Sequence, residues 1–414
     1  MIDVESQARL AKQAAPVLAL LGRREKDAIL CAMAQALIKC APQIMEANAQ
    51  DVAFARQNGI REAMIDRLQL DESRIQAMAQ GLTKVAGLED PTARIEEGWQ
   101  RENGLRIEKR RVPLGVVGII YEARPNVTAD AVGLCIKSGN ACVLRGGKEA
   151  IRSNSAILTV LHDAGVEAGM PYGAVQLVQD TDRASAHQMM RLNGFIDVLI
   201  PRGGAGLIQS VVQNASVPVI ETGVGNCHVY IDRAADLEMG LRILINAKCS
   251  RPSVCNAAES LLVHREVAEQ FLPQACAALR GQGVELRGCE RTRALCPDVK
   301  AATQEDYASE YNDLILSIRV VDDLDQALSH IAQYTTHHSE AIVTEDVCAA
   351  ERFLNEVDAA AVYLNASTRF TDGEEFGFGA EIGISTQKLH ARGPMGLAEL
   401  TSVKYVVRGS GQIR

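Results

Sequence analysis

The chain has 414 residues, 47% of them apolar and 23% charged, which is enough for two domains with separate cores. Its net charge of −9 and the lack of basic runs argue against nucleic acid as a partner. The longest apolar runs, such as residues 112–121, are too short to span a membrane. The eleven cysteines form no CxxC pair and no secretory signal is recognisable, so we expect a cytoplasmic protein without disulfides.

A helical region is followed by an alternating segment. Residues 5–88 carry apolar side chains at spacings of three and four, which predicts successive amphipathic helices. Residues 94–112 instead alternate around Glu102-Asn103-Gly104, a typical hairpin turn. We interpret this hairpin as an edge ribbon or as an arm that joins subunits.

Short apolar strands separated by helical stretches make up most of the remaining chain. One set of predicted strands covers residues 115–120, 141–144, 175–178, 197–200, 217–220 and 228–231. A second set covers residues 260–263, 314–320, 341–343 and 360–364, and residues 401–407 form a late strand that we expect to pair with the hairpin. The prediction is an α/β protein with two doubly wound domains and a small β-ribbon.

A cysteine in a polar loop is the first candidate for catalysis. Cys255 lies in residues 251–257 between two apolar runs, where a thiol contributes little to a core. Glu221, in the glycine-punctuated residues 221–226, is a candidate carboxylate partner. A thiolate at this place would form a covalent acyl-enzyme. Cys249 fits the same role, whereas most of the other cysteines fit burial in helices and strands.

Glycine-rich turns offer candidate anion sites, although none has a specific motif. The dinucleotide pattern GxGxxG is absent. Gly203-Gly204-Ala205-Gly206 follows a predicted strand and opens a helix, and Gly146-Gly147-Lys148 lies at a similar junction without the rest of a P-loop. Backbone N–H groups at such junctions bind anions. A tight strand-to-helix turn explains either segment equally well.

Two polar residues follow the strand predicted at 115–120. Arg124 and Asn126 lie at its carboxyl end, where open sheets bind ligands. Arginine suits a carboxylate or phosphate and asparagine suits an oxyanion, while a solvated loop arginine is the simpler alternative. The histidines at 330, 337 and 338 belong to no HExxH motif, so we expect packing or surface roles for them and no metal site.

Several motifs, in chain order, resemble the aldehyde dehydrogenase superfamily. They are Pro113-Leu114-Gly115-Val116-Val117-Gly118, Glu221-Thr222-Gly223, Cys255, Gly393-Pro394-Met395-Gly396-Leu397 and Thr401-Ser402-Val403-Lys404. A narrower set resembles the gamma-glutamyl phosphate reductase family: Tyr121-Glu122-Ala123-Arg124-Pro125-Asn126, residues 251–256, residues 380–386 and Leu389-His390-Ala391-Arg392-Gly393-Pro394. The resemblance covers nearly the whole chain and departs at Thr335, where Gly or Ser is expected.

The resemblance implies a division of the chain into domains. An NADPH-binding domain is expected over residues 1–225, including the ribbon at 94–112 and a return segment at about 365–400. The catalytic domain is expected over 226–364, and a strand of the oligomerisation element over 401–414.

The resemblance also implies roles for particular residues. Cys255 becomes the nucleophile in preference to Cys249, with Asn126 as oxyanion donor and Glu221 as proton carrier or thiolate tuner. The expected NADPH-binding residues are Arg145, Lys148, Gly203, Gly204, Gly206 and Glu310. Relatives that prefer NAD carry an acid where this chain has Ile151, followed by Arg152. The expected substrate-binding residues are Arg124, Glu381 and Ser385.

The implied reaction is the NADPH-dependent reduction of L-glutamyl 5-phosphate to glutamate 5-semialdehyde through a cysteinyl thioester, the second step of proline biosynthesis. Glutamate 5-kinase is the implied supplier of the substrate, and a homo-oligomer is the implied assembly. One alternative is a CoA-acylating aldehyde dehydrogenase, which would depend on thioesters instead of phosphate. Another is a cofactor-free cysteine acyltransferase, which usually needs a histidine partner that no motif here supplies.

Overall fold

The computed structural model describes residues 3–60 and 62–414 as two compact units. The first unit runs up to Thr222 and includes Gly377–Gly383 and Met395–Arg414. The second unit comprises Gly223–Phe376 and Ile384–Pro394.

The first unit begins with the predicted helices. They are α1 (Val4–Leu18), α2 (Arg23–Lys39), α3 (Ala41–Gln57), α4 (Glu62–Leu68) and α5 (Glu72–Gly87). Asp3 caps α1 by accepting from the Ser6 N–H, and Asp71 caps α5 by accepting from the Arg74 N–H. The series of amphipathic helices predicted for residues 5–88 is confirmed.

A parallel sheet with the strand order β5-β4-β3-β6 follows. Its elements are β3 (Val116–Tyr121), α6 (Asn126–Lys137), β4 (Ala141–Arg145), α7 (Ile151–Glu167), β5 (Val175–Leu177), α8 (Arg183–Met189), β6 (Val198–Arg202) and α9 (Ala205–Asn214). Every residue of β3 is buried, as expected for a central strand covered on both faces. Because the strands are parallel, the loops after β3, β4 and β6 share one edge of the sheet.

The ribbon joins distant parts of the sequence. β1 (Ile95–Gln100) pairs antiparallel with β2 (Arg106–Pro113), and β2 pairs with β16 (Thr401–Arg408) along its whole length. The predicted hairpin, the late strand and their pairing are therefore confirmed. Trp99 on β1 packs edge-on against Tyr405 on β16, and their side chains are 39% and 59% exposed.

The second unit has a parallel sheet with the order β10-β9-β11-β8-β7-β12-β13. Its elements are β7 (Cys227–Ile231), α10 (Leu237–Cys249), β8 (Ala258–His264), α11 (Arg265–Gly281), β9 (Glu285–Gly288), α12 (Glu290–Leu295), β10 (Lys300–Ala301), α13 (Gln304–Ala308), β11 (Ile315–Val321), α14 (Leu324–Tyr334), β12 (Ser339–Val343), α15 (Val347–Glu356) and β13 (Ala361–Leu364), followed by the small antiparallel pair β14 (Ile384–Ser385) and β15 (Gly393–Pro394). Helices α10 and α11 pack their apolar faces on this sheet.

One predicted strand is wrong. Residues 217–220 form only a single bridge, between Val219 and Leu199. The Leu199 N–H donates to the Pro218 carbonyl at 2.8 Å, and the Ile220 N–H donates to the Leu199 carbonyl at 2.9 Å. Pro218 has no N–H to continue the ladder, so an apolar run that resembles a strand remains an extended loop.

The described residues show neither a single membrane-spanning helix nor a metal cluster. No single helix there is long and apolar enough to cross a membrane. Helices α2 and α3, which are bent by 67° at their junction, are together long and apolar enough by length and composition alone. No group of three or more His, Cys, Asp or Glu side chains in that part of the chain is arranged to hold a metal ion.

Candidate active site

The candidate nucleophile lies in the loop that joins α10 to β8, which we call the thiol loop (residues 251–257). β8 is buried along its whole length, so the loop leads directly into the core of the second unit. Cys255 itself is half-buried, and the Ala257 N–H closes a turn around it by donating to the Val254 carbonyl at 3.0 Å. The thiol therefore lies at the border of the core and not inside it.

The residue after the cysteine anchors the thiol loop. The buried Asn256 amide donates to the carbonyls of Arg369 and Thr371 at 3.1 and 3.0 Å. Thr368 donates its hydroxyl to the Asn256 carbonyl at 2.7 Å, and the Arg369 guanidinium donates to the Asn256 side-chain oxygen. Each polar group of Asn256 named here is thus satisfied by one short segment, which fixes the backbone beside Cys255.

A glycine makes the closest approach to the thiol loop. In the glycine loop (residues 223–226), a methyl group added to Gly225 would lie 1.5 Å from the Cys255 carbonyl oxygen and 2.8 Å from its Cα. Cys227 donates its Sγ–H to the same carbonyl at 3.2 Å. Because two backbones meet here with no room for a side chain, Gly225 sets the position of Cys255.

Carboxylates near the two loops have different partners. Glu310 accepts from the Gly225 N–H at 2.7 Å, so it holds the glycine loop from the other side. Glu259, on β8, forms a fully buried ion pair of 2.5 Å with Lys248, near the end of α10. Burial raises the pKa of Glu259 to about 7 against the opposing charge of Lys248, and burial lowers the pKa of Lys248.

The neighbouring thiols are in environments that keep them protonated. Burial raises the pKa of Cys249, and the nearby Lys248 charge only partly opposes it. Burial, followed by the charge of Glu340, raises the pKa of Cys227 well above its usual range. Since the thiolate is the nucleophilic form, both residues are poor competitors for the catalytic role.

In the first unit, the candidate oxyanion donor opens a helix. Asn126 is the first residue of α6, directly beyond the carboxyl end of β3, and its side chain is exposed. Its Nδ2 donates to the Asp130 carboxylate, one turn along α6, at 3.1 Å. Arg124 is also exposed, in the turn that its backbone N–H closes by donating to the Glu122 carbonyl at 2.7 Å.

The expected cofactor-binding residues of the first unit share the same sheet edge, but they are used differently. Lys148 is exposed just beyond β4. Arg145 at the end of β4 donates instead to the carbonyls of Thr181 and Asp182 at 2.6 and 3.1 Å, and so braces a neighbouring loop. Exposed glycines at 203, 204 and 206 surround the amino end of the ten-residue α9. This open helix start and the lysine suit the phosphates and ribose of a dinucleotide.

The segment expected to bind substrate has a structural role in part. Ser385 is fully buried on β14, and its hydroxyl accepts from the Gln387 N–H at 3.3 Å. In the same unit, a methyl group on Gly223 would lie 2.2 Å from the Thr386 side chain, so this segment packs on the glycine loop. In the first unit, Glu381 and Glu221 are half-buried.

The structure therefore brings Cys255, Gly225 and Glu310 together in the second unit, and Asn126, Lys148 and the exposed glycines to one sheet edge in the first. No sequence pattern distinguishes Gly225 from the other glycines, because its contact joins segments thirty residues apart. Asp130 lies four residues after Asn126, so the two side chains are neighbours on a helix. This contact can be predicted only when the start of α6 at Asn126 is known.

Comparison with known proteins identifies relatives over the full length. The aldehyde dehydrogenase family model matches residues 2–305. Gamma-glutamyl phosphate reductases of Caldanaerobacter subterraneus and Heliobacterium modesticaldum are 58% and 60% identical; the first alignment covers all of both chains, and the second covers all of this chain and 99% of the relative. The crystal structure of gamma-glutamyl phosphate reductase from Thermotoga maritima superposes with a TM-score of 0.98 at 49% identity, covering all of both chains.

A more distant structure shares the fold alone. An acetylating aldehyde dehydrogenase from Geobacillus thermoglucosidasius has a TM-score of 0.70 at 17% identity, covering 99% of this chain and 97% of the other. The predicted aldehyde dehydrogenase-like α/β fold and the family resemblance are confirmed.

Proposed function

Because this chain belongs to the gamma-glutamyl phosphate reductase family, within the aldehyde dehydrogenases, we propose that it reduces L-glutamyl 5-phosphate to L-glutamate 5-semialdehyde and releases phosphate. The observation that carries this proposal is the full-length identity of 57–60% with reductases of that name. This reaction is the second step of proline biosynthesis from glutamate.

The first chemical step belongs to the thiol loop. The Cys255 thiolate attacks the acyl carbon, the carbon–sulfur bond forms, and the bond from carbon to the phosphate oxygen breaks. Phosphate is a good leaving group, so little acid catalysis is needed. The oxyanion would be stabilised by the Asn126 amide and the Cys255 backbone N–H. The hydrogen bonds that anchor Asn256 support the role of the neighbouring Cys255 as nucleophile, because a nucleophile must be held in place to react.

A nicotinamide cofactor, when bound, supplies the hydride that reduces the acyl group. Lys148 and the exposed backbone at Gly203, Gly204 and Gly206 would hold its phosphates and ribose. Arg145 would act through the loop that it braces. Glu310 would offer its second carboxylate oxygen to the nicotinamide ribose, since the first accepts from Gly225.

NADPH is the proposed form of the cofactor. The position at which NAD-preferring relatives place an acid holds Ile151, so a 2′-phosphate would meet no repulsion there. Arg152, the next residue, is half-exposed and adds positive charge, although it is 3.3 Å from the buried Asp51 carboxylate.

After reduction the carbon–sulfur bond breaks and the Cys255 thiolate is regenerated. Glu221 is the proposed proton carrier or tuner of the thiolate. Hydrolysis of the thioester would waste the substrate as glutamate, so we expect the loops to exclude water during this step. Arg124, Glu381 and Ser385 remain proposed substrate residues, with Ser385 acting through its buried loop position.

The setting of the enzyme is also proposed. Its substrate would be supplied by a glutamate 5-kinase. Because acyl phosphates hydrolyse readily in water, direct supply would limit the loss of substrate. The exposed apolar side chains of the ribbon, such as Trp99 and Tyr405, support a homo-oligomer built through this element. The eleven free cysteines support a reducing cytoplasm.

The reverse reaction tests the function. Glutamate semialdehyde, NADP and inorganic phosphate are mixed with enzyme, and formation of NADPH is followed by its absorbance. We expect phosphate-dependent formation that is lost in Cys255→Ala and kept in the matched thiol variant Cys249→Ala. Formation that requires CoA and ignores phosphate would instead identify the CoA-acylating alternative. No formation by folded protein that also fails to bind NADP would support a cofactor-free transferase.

A further inference from the structure

Two charged side chains of the first unit stand at adjacent strand ends without an assigned role. Arg202 is the last residue of β6, in register with Tyr121 at the end of β3. Asp130 lies in the first turns of α6, which follows β3. Both residues therefore lie at the sheet edge that already presents Asn126.

Asp130 is linked directly to the candidate oxyanion donor. Its Oδ2 accepts from the Asn126 Nδ2 at 3.1 Å, and its side chain is open to water. Partial burial of the carboxyl group raises the pKa of Asp130 to about 6, although its side chain still reaches water, while the hydrogen bond from Asn126 and the positive charge of Arg202 lower it. The carboxylate is therefore mainly ionised at neutral pH and lies beside the Asn126 amide.

Arg202 is placed by a glycine. A methyl group added to Gly383 would lie 2.2 Å from the Arg202 Nη1, so the guanidinium lies close against that bare backbone. Among the described residues, Arg202 forms no side-chain hydrogen bond and no ion pair within 4.0 Å, including with Asp130. A half-buried guanidinium without such a partner is suited to an anionic ligand group.

We propose that Asp130 and Arg202 recognise the amino-acid end of the substrate, with Asp130 binding the α-ammonium and Arg202 binding the α-carboxylate. The inference rests on the proposed function and names the specificity residues of the same site. A side chain at residue 383 would press on Arg202, besides straining a backbone at φ +141° and meeting the Thr222 methyl group at 2.9 Å.

The dimensions of the substrate agree with this placement. Four bonds separate the acyl carbon of a glutamyl group from its α-nitrogen, about 5 Å when extended, from bond lengths near 1.5 Å. The step of four residues from Asn126 to Asp130 advances about 6 Å along α6, at about 1.5 Å per residue. An acyl oxygen held by Asn126 would thus direct the ammonium group toward Asp130.

Aldehydes that lack one charged group test the proposal in the reverse reaction. The substrates are glutamate semialdehyde, 5-oxopentanoate, which lacks the amine, and 4-aminobutanal, which lacks the carboxylate. We expect Asp130→Asn to lower kcat/KM for glutamate semialdehyde about 10- to 100-fold and to change that for 5-oxopentanoate less than about threefold. Arg202→Met should show the same selective loss, with 4-aminobutanal as the unaffected aldehyde.

Controls separate recognition from other effects. Asp163→Asn and Arg242→Met change exposed charges elsewhere and should leave all three rates unchanged. Gly383→Ala keeps Arg202 but moves its guanidinium, and it also strains a backbone at φ +141°. The ratio of its rates with the three aldehydes, and not its overall rate, should therefore reproduce the Arg202→Met pattern.

The outcomes distinguish the two proposals. Equal losses for all aldehydes in Asp130→Asn would mean that Asp130 only orients Asn126, and would overturn the inference. Unchanged discrimination in every variant would overturn it as well. A wild type that does not oxidise glutamate semialdehyde with phosphate would refute the proposed function itself.

Discussion

Replacing Gly225 with alanine should inactivate the enzyme without unfolding it. The added methyl group would lie 1.5 Å from the Cys255 carbonyl oxygen, and real Cβ atoms essentially never approach closer than 3.0 Å. The two backbones must therefore separate by at least about 1.5 Å. A misplacement of about 1 Å in a catalytic group can lower the rate about 100-fold. We expect kcat to fall by about this factor or more.

The assay compares the variant with a matched glycine. Gly281→Ala, in α11 of the same unit, meets nothing within 4 Å and should keep wild-type kcat with equal or slightly higher stability. Binding of NADP, measured by fluorescence titration, should survive in Gly225→Ala because the exposed glycines and Lys148 lie in the other unit. It should be weakened only through Glu310, which accepts from the Gly225 N–H. Overpacking should lower the free energy of unfolding by about 1–3 kcal/mol.

The result that would refute this reasoning is specific. If Gly225→Ala folds and keeps kcat within about threefold of wild type, the glycine loop does not set the position of Cys255. If the variant loses NADP binding together with activity, the change has spread beyond the thiol loop, and the local contact is not the cause.

Buried ionisable side chains affect the stability of the second unit in two ways. Glu259→Gln should lower the free energy of unfolding, measured in urea, by about 3–5 kcal/mol, because it leaves the Lys248 ammonium buried without its counter-charge. The double variant Lys248→Met/Glu259→Leu should recover most of this loss. A double variant as unstable as Glu259→Gln would contradict the prediction. Burial lowers the pKa of His338 from 6.5 to about 4, so the unfolded chain binds its proton first as the pH falls. Stability should therefore fall by about 2 kcal/mol between pH 6.5 and 5, and a His338→Gln variant with an undiminished pH dependence would rule this out.

Periodicity predicted most of the elements because each follows a local rule. The alternation of residues 94–112 and 401–407 predicted the ribbon, and the three-to-four spacing before residue 88 predicted the helices. The failure at residues 217–220 is instructive, since those residues are as apolar as a strand. The missing N–H of Pro218 interrupts the ladder, and that is a hydrogen-bonding property that an apolar pattern does not register.

The site was less predictable because its contacts join distant segments. Composition did not separate Cys255 from Cys249; the family resemblance did, and the raised pKa of Cys249 now gives a physical reason to agree. Gly225 packs against the backbone of Cys255, and the Arg202 side chain packs against Gly383, and both contacts join residues that are far apart along the chain. Ser385 was chosen from a motif, yet its complete burial limits it to holding its loop.

The way in which the thiol loop is held has a consequence for its chemistry. Asn256 is fixed through amide and carbonyl groups, and Gly225 through a backbone contact, and none of these groups titrates near neutral pH. A cysteine that is first acylated and then released must keep one position while the charge on its sulfur changes. Anchors that do not titrate near neutral pH allow this, and they include the Arg369 guanidinium on the Asn256 side-chain oxygen, whose charge stays the same. The pH dependence of the rate should then report the reacting groups themselves and not a movement of the loop.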